Sequence, residues 1–200
     1  MAPLSAPNSK ARKHAHHRHH LQRPPRAPRG PGARSPGPRV HIRPLRRDDG
    51  DLLDAVMAGM GTRSRYQRFH APKPRLTPSD RAYLTSADGR DHIALIALAP
   101  GGAPLGVARA VRLKDDPGAA EMAVALVDAR QGEGLGSDLT ARIARLAAGA
   151  GIERLVARVL AQSRLADALA RRGWRLTEQD GPVLSFSMEA WRLAARAGGA

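Results

Sequence analysis

The chain has 200 residues, and its 33 Lys and Arg against 18 Asp and Glu give a formal net charge of +15 at pH 7. It contains no cysteine, which excludes disulfides, thiolate metal ligands and a cysteine nucleophile. No apolar run reaches the ~20 residues of a membrane span, and the amino terminus lacks the apolar core of a secretory signal, so we expect a cytoplasmic protein.

Much of the excess positive charge lies in residues 1–39. This segment is rich in Arg and Pro, has no Asp or Glu and contains few aliphatic residues. It cannot bury enough apolar surface to offset the entropy cost of ordering, which predicts a disordered basic tail. The histidines between His14 and His20 predict adventitious metal binding rather than a defined site. Without an aromatic residue for base stacking, the tail predicts either a weak, non-specific polyanion contact or no dedicated partner.

The next segment predicts a strand followed by helices. Val40 to Arg46 alternates apolar and polar residues, as a first strand does. Asp51 to Met60 repeats its apolar residues at helical spacing and follows the pair Asp48–Asp49, which stands where an N-cap residue would. Residues 61–85 are basic and aromatic and are interrupted by prolines, so only a short helix over Ser79 to Leu84 is predicted there.

The rest of the chain alternates strands with helices. His92 to Ala99 and the following PLGVARAVRL predict a hairpin through the APGGAP turn, and EMAVALV, which begins at Glu121, predicts the fourth strand. An amphipathic helix, the strand IERLVARVL, a helix closed by Gly173 and two strands around the Asp180–Gly181 turn follow. The order β, α, α, β, β, β, α, β, α, β, β predicts an α+β protein with a mixed sheet flanked by helices.

The turn after the fourth strand indicates a phosphate site. It has glycines in alternate positions, Gly132, Gly134 and Gly136, and opens into an amphipathic helix. The first turn of a helix leaves N–H groups without partners, and glycines let a phosphate approach them closely. The absence of lysine excludes a P-loop, and both the Gly-x-Gly-x-Gly spacing and the position of Glu153 fit a dinucleotide fingerprint poorly.

The remaining pattern is Gln-x-x-Gly-x-Gly at Gln131, Gly134 and Gly136. It resembles the acetyl-CoA pyrophosphate loop of the GNAT acetyltransferase superfamily. Over residues 40–188 the order of the strands, the loop after the fourth strand and the Gly-Trp pair after the penultimate helix agree with this family. SRYQRF, at Ser64 to Phe69, resembles the branch that includes bacterial protein-lysine acetyltransferases.

The resemblance implies the GNAT fold, a mixed and mostly antiparallel sheet of about seven strands with about four helices. In that fold the fourth strand carries a bulge and splays from the fifth, and the pantetheine arm inserts into the wedge. We therefore expect a GNAT domain over residues 40–190 and a C-terminal tail over residues 191–200.

For this chain the resemblance implies acetyl-CoA as a co-substrate and no metal. Backbone groups of the fourth strand would bind pantetheine and the thioester, the loop would hold the pyrophosphate, and a serine replaces an asparagine that contacts CoA in many relatives. These residues are Val124, Ala125, Leu126, Gln131, Gly132, Glu133, Gly134, Leu135, Gly136, Ser137 and Ser163. Ser163 is equally well placed to N-cap the following helix.

Glu121 is the expected catalytic base. An acceptor amine with a pKa of about 10.4 must lose a proton before it attacks the thioester. Glu121 is one acid in an otherwise apolar strand, and the protein-acetylating branch has a glutamate at the matching place. A carboxylate that merely faces solvent at a strand edge is the alternative. The amide of Leu126 is expected to meet the oxyanion, and the general acid is unassigned because the helix after Ser163 lacks the tyrosine of many relatives.

The acceptor is expected between residues 62–85 and the last two strands. Arg63, Arg65, Arg68 and Lys73 either receive a carboxylate-bearing acceptor or pin this segment through internal ion pairs. The leading hypothesis is direct acetyl transfer to a protein lysine or a small-molecule amine by a monomer or homodimer. The alternatives are a non-catalytic acyl-CoA-binding module tethered to a polyanion, and a nucleic-acid protein in which the tail dominates.

Overall fold

The computed structural model describes residues 40–195, so the predictions for residues 1–39 and 196–200 lie outside the described residues. The strands are β1 (His41–Pro44), β2 (His92–Leu98), β3 (Pro104–Arg112), β4 (Ala119–Leu126), β5 (Arg154–Leu160), β6 (Arg175–Asp180) and β7 (Val183–Glu189). The helices are α1 (Gly50–Ala58), α2 (Thr62–Phe69), α3 (Pro78–Leu84), α4 (Leu135–Gly149), α5 (Arg164–Arg171) and α6 (Ala190–Ala195). Among these helices, none is long and apolar enough to cross a membrane.

The strands form one seven-stranded sheet in the order β1-β2-β3-β4-β5-β7-β6. Every neighbouring pair is antiparallel except β4 and β5, which are parallel. α4 makes the crossover between these two parallel strands, as the order of the elements requires. The predicted α+β class and the mixed, mostly antiparallel sheet are confirmed.

β4 and β5 separate halfway along their length. Their pairing joins Ala119–Met122 to Arg154–Ala157 and stops there, while β5 continues on β7. Ala123–Leu126 therefore has a strand partner only on the β3 side, where the register is unbroken. The expected splay is confirmed, but the expected bulge in β4 is wrong. The strands diverge without an inserted residue in β4.

Two apolar layers cover the two faces of the sheet. Leu139 and Ile143 of α4 are fully buried on one face, and Val56 of α1 and Ile96 of β2 are buried on the other. Each such side chain contributes roughly 1.5–3 kcal/mol of burial free energy. Because side chains alternate along a strand, Glu121 lies on the same face of β4 as the buried Ala125, which is the face covered by α1.

The sequence pattern does not predict α2 and α6. α2 has no buried residue, and its start is fixed by the carboxylate of Asp128, which accepts the Gly61 N–H at 3.0 Å. α6 continues the described helical structure five residues past the expected boundary at 190, and Leu193 is buried in the core beside α4. Both helices depend on contacts with distant parts of the chain, which local propensity does not reveal.

The helix ends match the predicted caps in part. Gly173 follows the C-cap of α5 with φ of +78°, as predicted. Asp49 stands at the N-cap of α1, but its carboxylate makes no cap bond. It accepts instead from the Arg43 guanidinium at 2.6 and 2.7 Å and from the Arg46 N–H at 2.7 Å. A charged donor outcompetes the helix amides for the same oxygens because charge-assisted hydrogen bonds are stronger.

Candidate functional site

The glycine turn after β4 has a backbone path that favours glycine. Gly132 and Gly134 have φ of +82° and +89°, and α4 begins directly afterwards at Leu135. A Cβ built on either glycine would meet nothing within 4 Å. The left-handed conformation costs another residue about 1–2 kcal/mol, so backbone conformation rather than crowding selects glycine here.

This turn leaves successive backbone donors free. Within the described part of the chain, the N–H groups of residues 132–136 have no protein acceptor. The N–H of Gln131 donates to the Asp128 carbonyl at 3.2 Å, and that of Ser137 donates to the Gly134 carbonyl at 2.9 Å. Free amides were expected from Gln131 to Ser137. The observed run, residues 132–136, is one residue shorter at each end. A run of free N–H groups at a helix N-terminus suits an anion.

The side chain of Gln131 forms hydrogen bonds that stabilise the turn. Its Nε2 donates to Asp128 Oδ1 at 3.0 Å, Ser64 Oγ at 3.3 Å and the Leu126 carbonyl at 3.5 Å. The other oxygen of Asp128 accepts the Gly61 N–H. Gln131 and Asp128 thus tie the turn to the end of β4 and to the start of α2. The sequence reasoning missed Asp128, whose signal was an acid immediately before the glycine turn.

The other predicted residues of the turn differ in what their side chains do. Glu133 forms an ion pair with Arg130 at 2.9 Å, and Ser137 is exposed. The Leu135 side chain is buried in the core, which leaves only its amide for a ligand. A Cβ on Gly136 would lie 3.4 Å from Leu126 Cδ1, which is about van der Waals contact.

The free end of β4 borders the wedge. Val124 and Leu126 pack against the core on the α4 side, and Ala125 is buried on the opposite side. Gly106 of β3 lies opposite Leu126, and a Cβ there would come within 2.3 Å of Leu126 Cδ2 and 2.7 Å of the Ala125 carbonyl oxygen. A glycine at position 106 is therefore required for β3 and β4 to pair this closely beside the wedge.

Ser163 is buried at the N-cap of α5. Its Oγ accepts the Leu165 N–H at 3.1 Å, which confirms the N-cap interpretation. The expected contact between this serine and CoA is still a prediction, and it would use the donor side of the same hydroxyl.

Glu121 lines an open cleft of about 500 Å³ on the α1 face of the sheet. The cleft is also lined by Leu113, Arg154, Val156, Arg158, Arg175, Thr177, Glu178, Ser185 and Ser187. β4 is an interior strand, so Glu121 is not at a sheet edge. Glu121 is half-buried and has no hydrogen bond or ion pair with any described residue. Its neighbour Met122 is the last residue of β4 that pairs with β5, so the cleft meets the wedge there.

The basic residues of segment 62–85 do not act as one group. Lys73 pairs with Asp80 at 2.8 Å, and Arg65 donates to two carbonyls at the end of α1 at 2.8 and 3.2 Å. Arg63 is exposed. Arg68 has no hydrogen bond or ion pair within residues 40–195, so the alternative of an internal ion pair does not hold for Arg68.

Sequence reasoning also missed the charged and strained residues around Arg68. Burial and the nearby Arg109 lower the pKa of Arg68 to about 10. Burial, Arg68 and Arg158 lower the pKa of His70, while Glu121 opposes them. His70 ends α2 with φ of 54°, and its Nε2 is buried without a partner. Strain of this kind is common at ligand sites, but no sequence pattern reveals it.

The arrangement supplies two different chemistries at the split between β4 and β5. Free amides at one end suit a phosphate-bearing ligand, and a carboxylate in a cleft with arginines suits proton transfer from a bound acceptor. In residues 40–195 no group of three or more His, Asp or Glu side chains could hold a metal ion.

Comparisons with known proteins agree with this geometry. The family model described as an acetyltransferase (GNAT) domain matches residues 39–172. The crystal structure of the GNAT domain of S. lividans PAT has a TM-score of 0.70 and 29% identity, covering 75% of this chain and 90% of that one. An acetyltransferase of the GNAT family from Streptococcus pneumoniae has a TM-score of 0.60 and 20% identity over 76% of this chain and 99% of that one. The structure of yncA from Salmonella typhimurium with its cofactor acetyl-CoA has a TM-score of 0.61 and 17% identity, covering 76% of this chain and 94% of that one.

Proposed function

The chain belongs to the GNAT acetyltransferase family, and from that premise we propose that it transfers the acetyl group of acetyl-CoA directly to a primary amine. The acceptor is a protein lysine or a small-molecule amine, and the transfer needs no covalent enzyme intermediate. One observation carries the proposal: β4 alone connects the free amides of residues 132–136 with the cleft that contains Glu121.

The residues around the glycine turn fit coenzyme A. The free N–H groups of residues 132–136 bind its diphosphate, and the open space beside Gly132 and Gly134 lets the phosphate oxygens approach the backbone. On the unpaired side of this end of β4, the backbone groups of Val124 and Leu126 offer strand-like hydrogen bonds to the pantetheine arm, whereas those of Ala125 face β3. Coenzyme A then lies as a missing strand between β4 and β5.

Glu121 acts as the base. Its carboxylate lies where the cleft meets the wedge, so an amine bound in the cleft loses its proton to Glu121 and can attack the acetyl carbon. The family's usual tyrosine acid is absent from α5, whose sequence is RLADALAR. The departing thiolate therefore takes its proton from water.

The test is release of free CoA thiol from acetyl-CoA with a panel of primary amines. Glu121→Gln should lower kcat by about 10²–10⁴-fold, the usual contribution of a general base, and leave CoA affinity unchanged. Glu178→Gln is the matched control, because Glu178 lines the same cleft on β6. We expect it to retain kcat within about threefold, since it is not at the wedge.

The result that contradicts the proposal is binding of acetyl-CoA without thiol release from any amine. An acyl-CoA-binding module would give that result, and Glu121→Gln would then have no effect. Absence of acetyl-CoA binding by calorimetry would overturn both functions.

A further inference from the structure

Two half-buried arginines differ from the others in residues 40–195. The remaining half-buried arginines are bonded to acids or carbonyls: Arg43 to Asp49, Arg65 to the carbonyls at the end of α1, Arg81 to Asp51 and Asp54, Arg112 to Asp91, and Arg130 to Glu133. Arg68 and Arg109 have no such partner. Arg68 lies against the ring of Phe69 at 5.0 Å and Arg109 against that of Tyr83 at 5.3 Å.

These two guanidinium groups are partly withdrawn from water without compensation. Arg109 Nη1 is completely buried and has no hydrogen-bond acceptor. Both residues line one small, otherwise mostly apolar cavity between α1, α2 and the sheet, and their charges repel each other there. A buried donor without an acceptor costs about 1–3 kcal/mol, and more when it is charged. Such a group in a native protein calls for a partner that the chain itself does not supply.

The register places these arginines next to the reaction site. Arg109 of β3 pairs with Ala123 of β4, the first residue beyond the region paired with β5. Glu121 lies two residues away on the same face of β4. Arg68 belongs to the last turn of α2, which packs on β4 and β5, and the charge of Glu121 acts on it.

The cleft itself contains both arginines and carboxylates. Arg158 and Arg175 line it and form no ion pair with any described residue, whereas Arg154 is paired with Asp116. Glu121 and Glu178 are the acids of the cleft. The two unpaired arginines of the cleft balance these two acids, so the excess positive charge beside Glu121 comes from Arg68 and Arg109, which line the neighbouring apolar cavity. Such a field attracts anions and repels a polyamine.

We propose that the acceptor is a small primary amine that also carries a carboxylate, which Arg68 and Arg109 bind while Glu121 faces the amine. This inference rests on the proposed acetyl transfer and names its substrate class. Two guanidinium groups provide a pair of planar forks, which match the oxygens of a carboxylate. A cleft of about 500 Å³ lies within the usual size range of small-molecule sites, and the buried Arg109 Nη1 requires an anion small enough to enter.

The experiment compares ω-amino carboxylates with n-alkylamines of the same chain length, using CoA thiol release by the full chain. Lysine-containing peptides form a third series. We expect kcat/KM to be at least about tenfold higher for the amino carboxylates, a modest value for one buried charge-assisted contact. Equal values for the first two series, or higher values for the peptides, would overturn the inference and leave the proposed acetyl transfer intact.

Arg109→Gln tests the arginines directly. It should abolish the preference for amino carboxylates, so that their kcat/KM falls to about that of the alkylamines of the same chain length. It should not lower the unfolding temperature, since it removes an uncompensated charge. Arg112→Gln is the control, a half-buried arginine of the same strand that is bonded to Asp91. It should lower the unfolding temperature and leave the preference unchanged.

Arg68→Gln provides a second measurement if Arg109→Gln fails to fold, and it should reduce the preference in the same way. An unchanged preference in the folded variants would overturn the assignment. If no amine yields thiol, the proposed function fails, and calorimetry of an amino carboxylate with the CoA-loaded protein tests the anion site separately. Binding that Arg109→Gln removes would support the site, and absence of binding to the unmodified protein would refute it.

Discussion

At the scale of single residues, the site depends on backbone groups more than on side chains. The donors expected to hold coenzyme A are amides of residues 132–136, and Gln131 and Asp128 serve to orient them. Glu121 is the one predicted site residue whose side chain has a chemical role in the proposal. This distribution explains why glycine identity at the turn matters as much as any charged residue.

Gly134→Ala should therefore destabilise the protein and weaken coenzyme A binding. With φ of +89° and nothing within 4 Å of a built Cβ, alanine would suffer only from the backbone conformation, at a cost of about 1–2 kcal/mol. Gly149→Ala is the control, because Gly149 is helical, has equally open space and should gain about 0.5–1 kcal/mol. Urea unfolding and calorimetry with CoA measure both effects. Equal stability changes in the two variants would contradict this explanation.

At the scale of elements, β4 connects the functional parts. It is continuous with β3, pairs with β5 over only half its length, and leads into the turn that starts α4. α2 is held across the same region by Asp128, and the charge of Glu121 acts on Arg68 and His70 at the end of this helix. Displacement of the free end of β4 would therefore disturb both ligand sites together.

Gly106→Ala should produce such a displacement. The new Cβ would approach the Ala125 carbonyl oxygen to 2.7 Å, and because backbone is involved the clash cannot be relieved by a rotamer change. We expect a loss of about 1–3 kcal/mol in unfolding free energy and a higher KM for acetyl-CoA. Gly101→Ala, in the turn of the β2–β3 hairpin with nothing within 4 Å of its Cβ, should change stability by less than about 0.5 kcal/mol. A tolerated alanine at position 106 would show that the β3–β4 contact is less constrained than the structure indicates.

At the scale of the whole molecule, buried titratable groups link stability to pH. Burial is the main cause of the lowered pKa of both His70 and His92, which stay neutral in the fold. For His92 the nearby Arg109 acts in the same direction and Asp88 opposes it, and the ring stacks on Tyr83. The pKa of Asp49 is lowered mainly by its hydrogen bond with Arg43. All three groups bind protons more readily in the unfolded chain, so stability falls as pH decreases.

Two pH windows should be separable by urea unfolding at a series of pH values. The histidine contribution is complete above about pH 6.5, the unfolded pKa, and declines as pH falls through the lower folded values, by at most about 1.4 kcal/mol per pH unit for each group. His92→Phe keeps a stacking ring and should reduce the slope in this window. Asp49→Asn should leave the histidine slope unchanged and reduce the loss of stability below about pH 4. Near neutral pH it should lower the free energy of unfolding by about 1–3 kcal/mol. A His92→Phe profile identical to that of the unmodified chain would refute the assignment.

Much of the fold follows from local patterns. Local patterns predicted the strands, four of the helices, the glycine turn and the position of Glu121. They could do so because strand alternation, helical periodicity and glycine preference act over a few residues. The family resemblance predicted the splay between β4 and β5. It did not predict that β4 would lack a bulge. The site is less readable, since a bond such as that between Asp128 and Gly61 joins residues 67 positions apart.

By itself the sequence determined the order of the elements, the anion-binding turn and the carboxylate of β4, because each depends on neighbours along the chain. Only the tertiary structure decided that α2 and α6 form, that Gly106 must be a glycine, and that Arg68 and Arg109 lack partners while other half-buried arginines have them. The physical reason is that burial and charge compensation are properties of residues brought together in space, and composition fixes only how many charges there are to place.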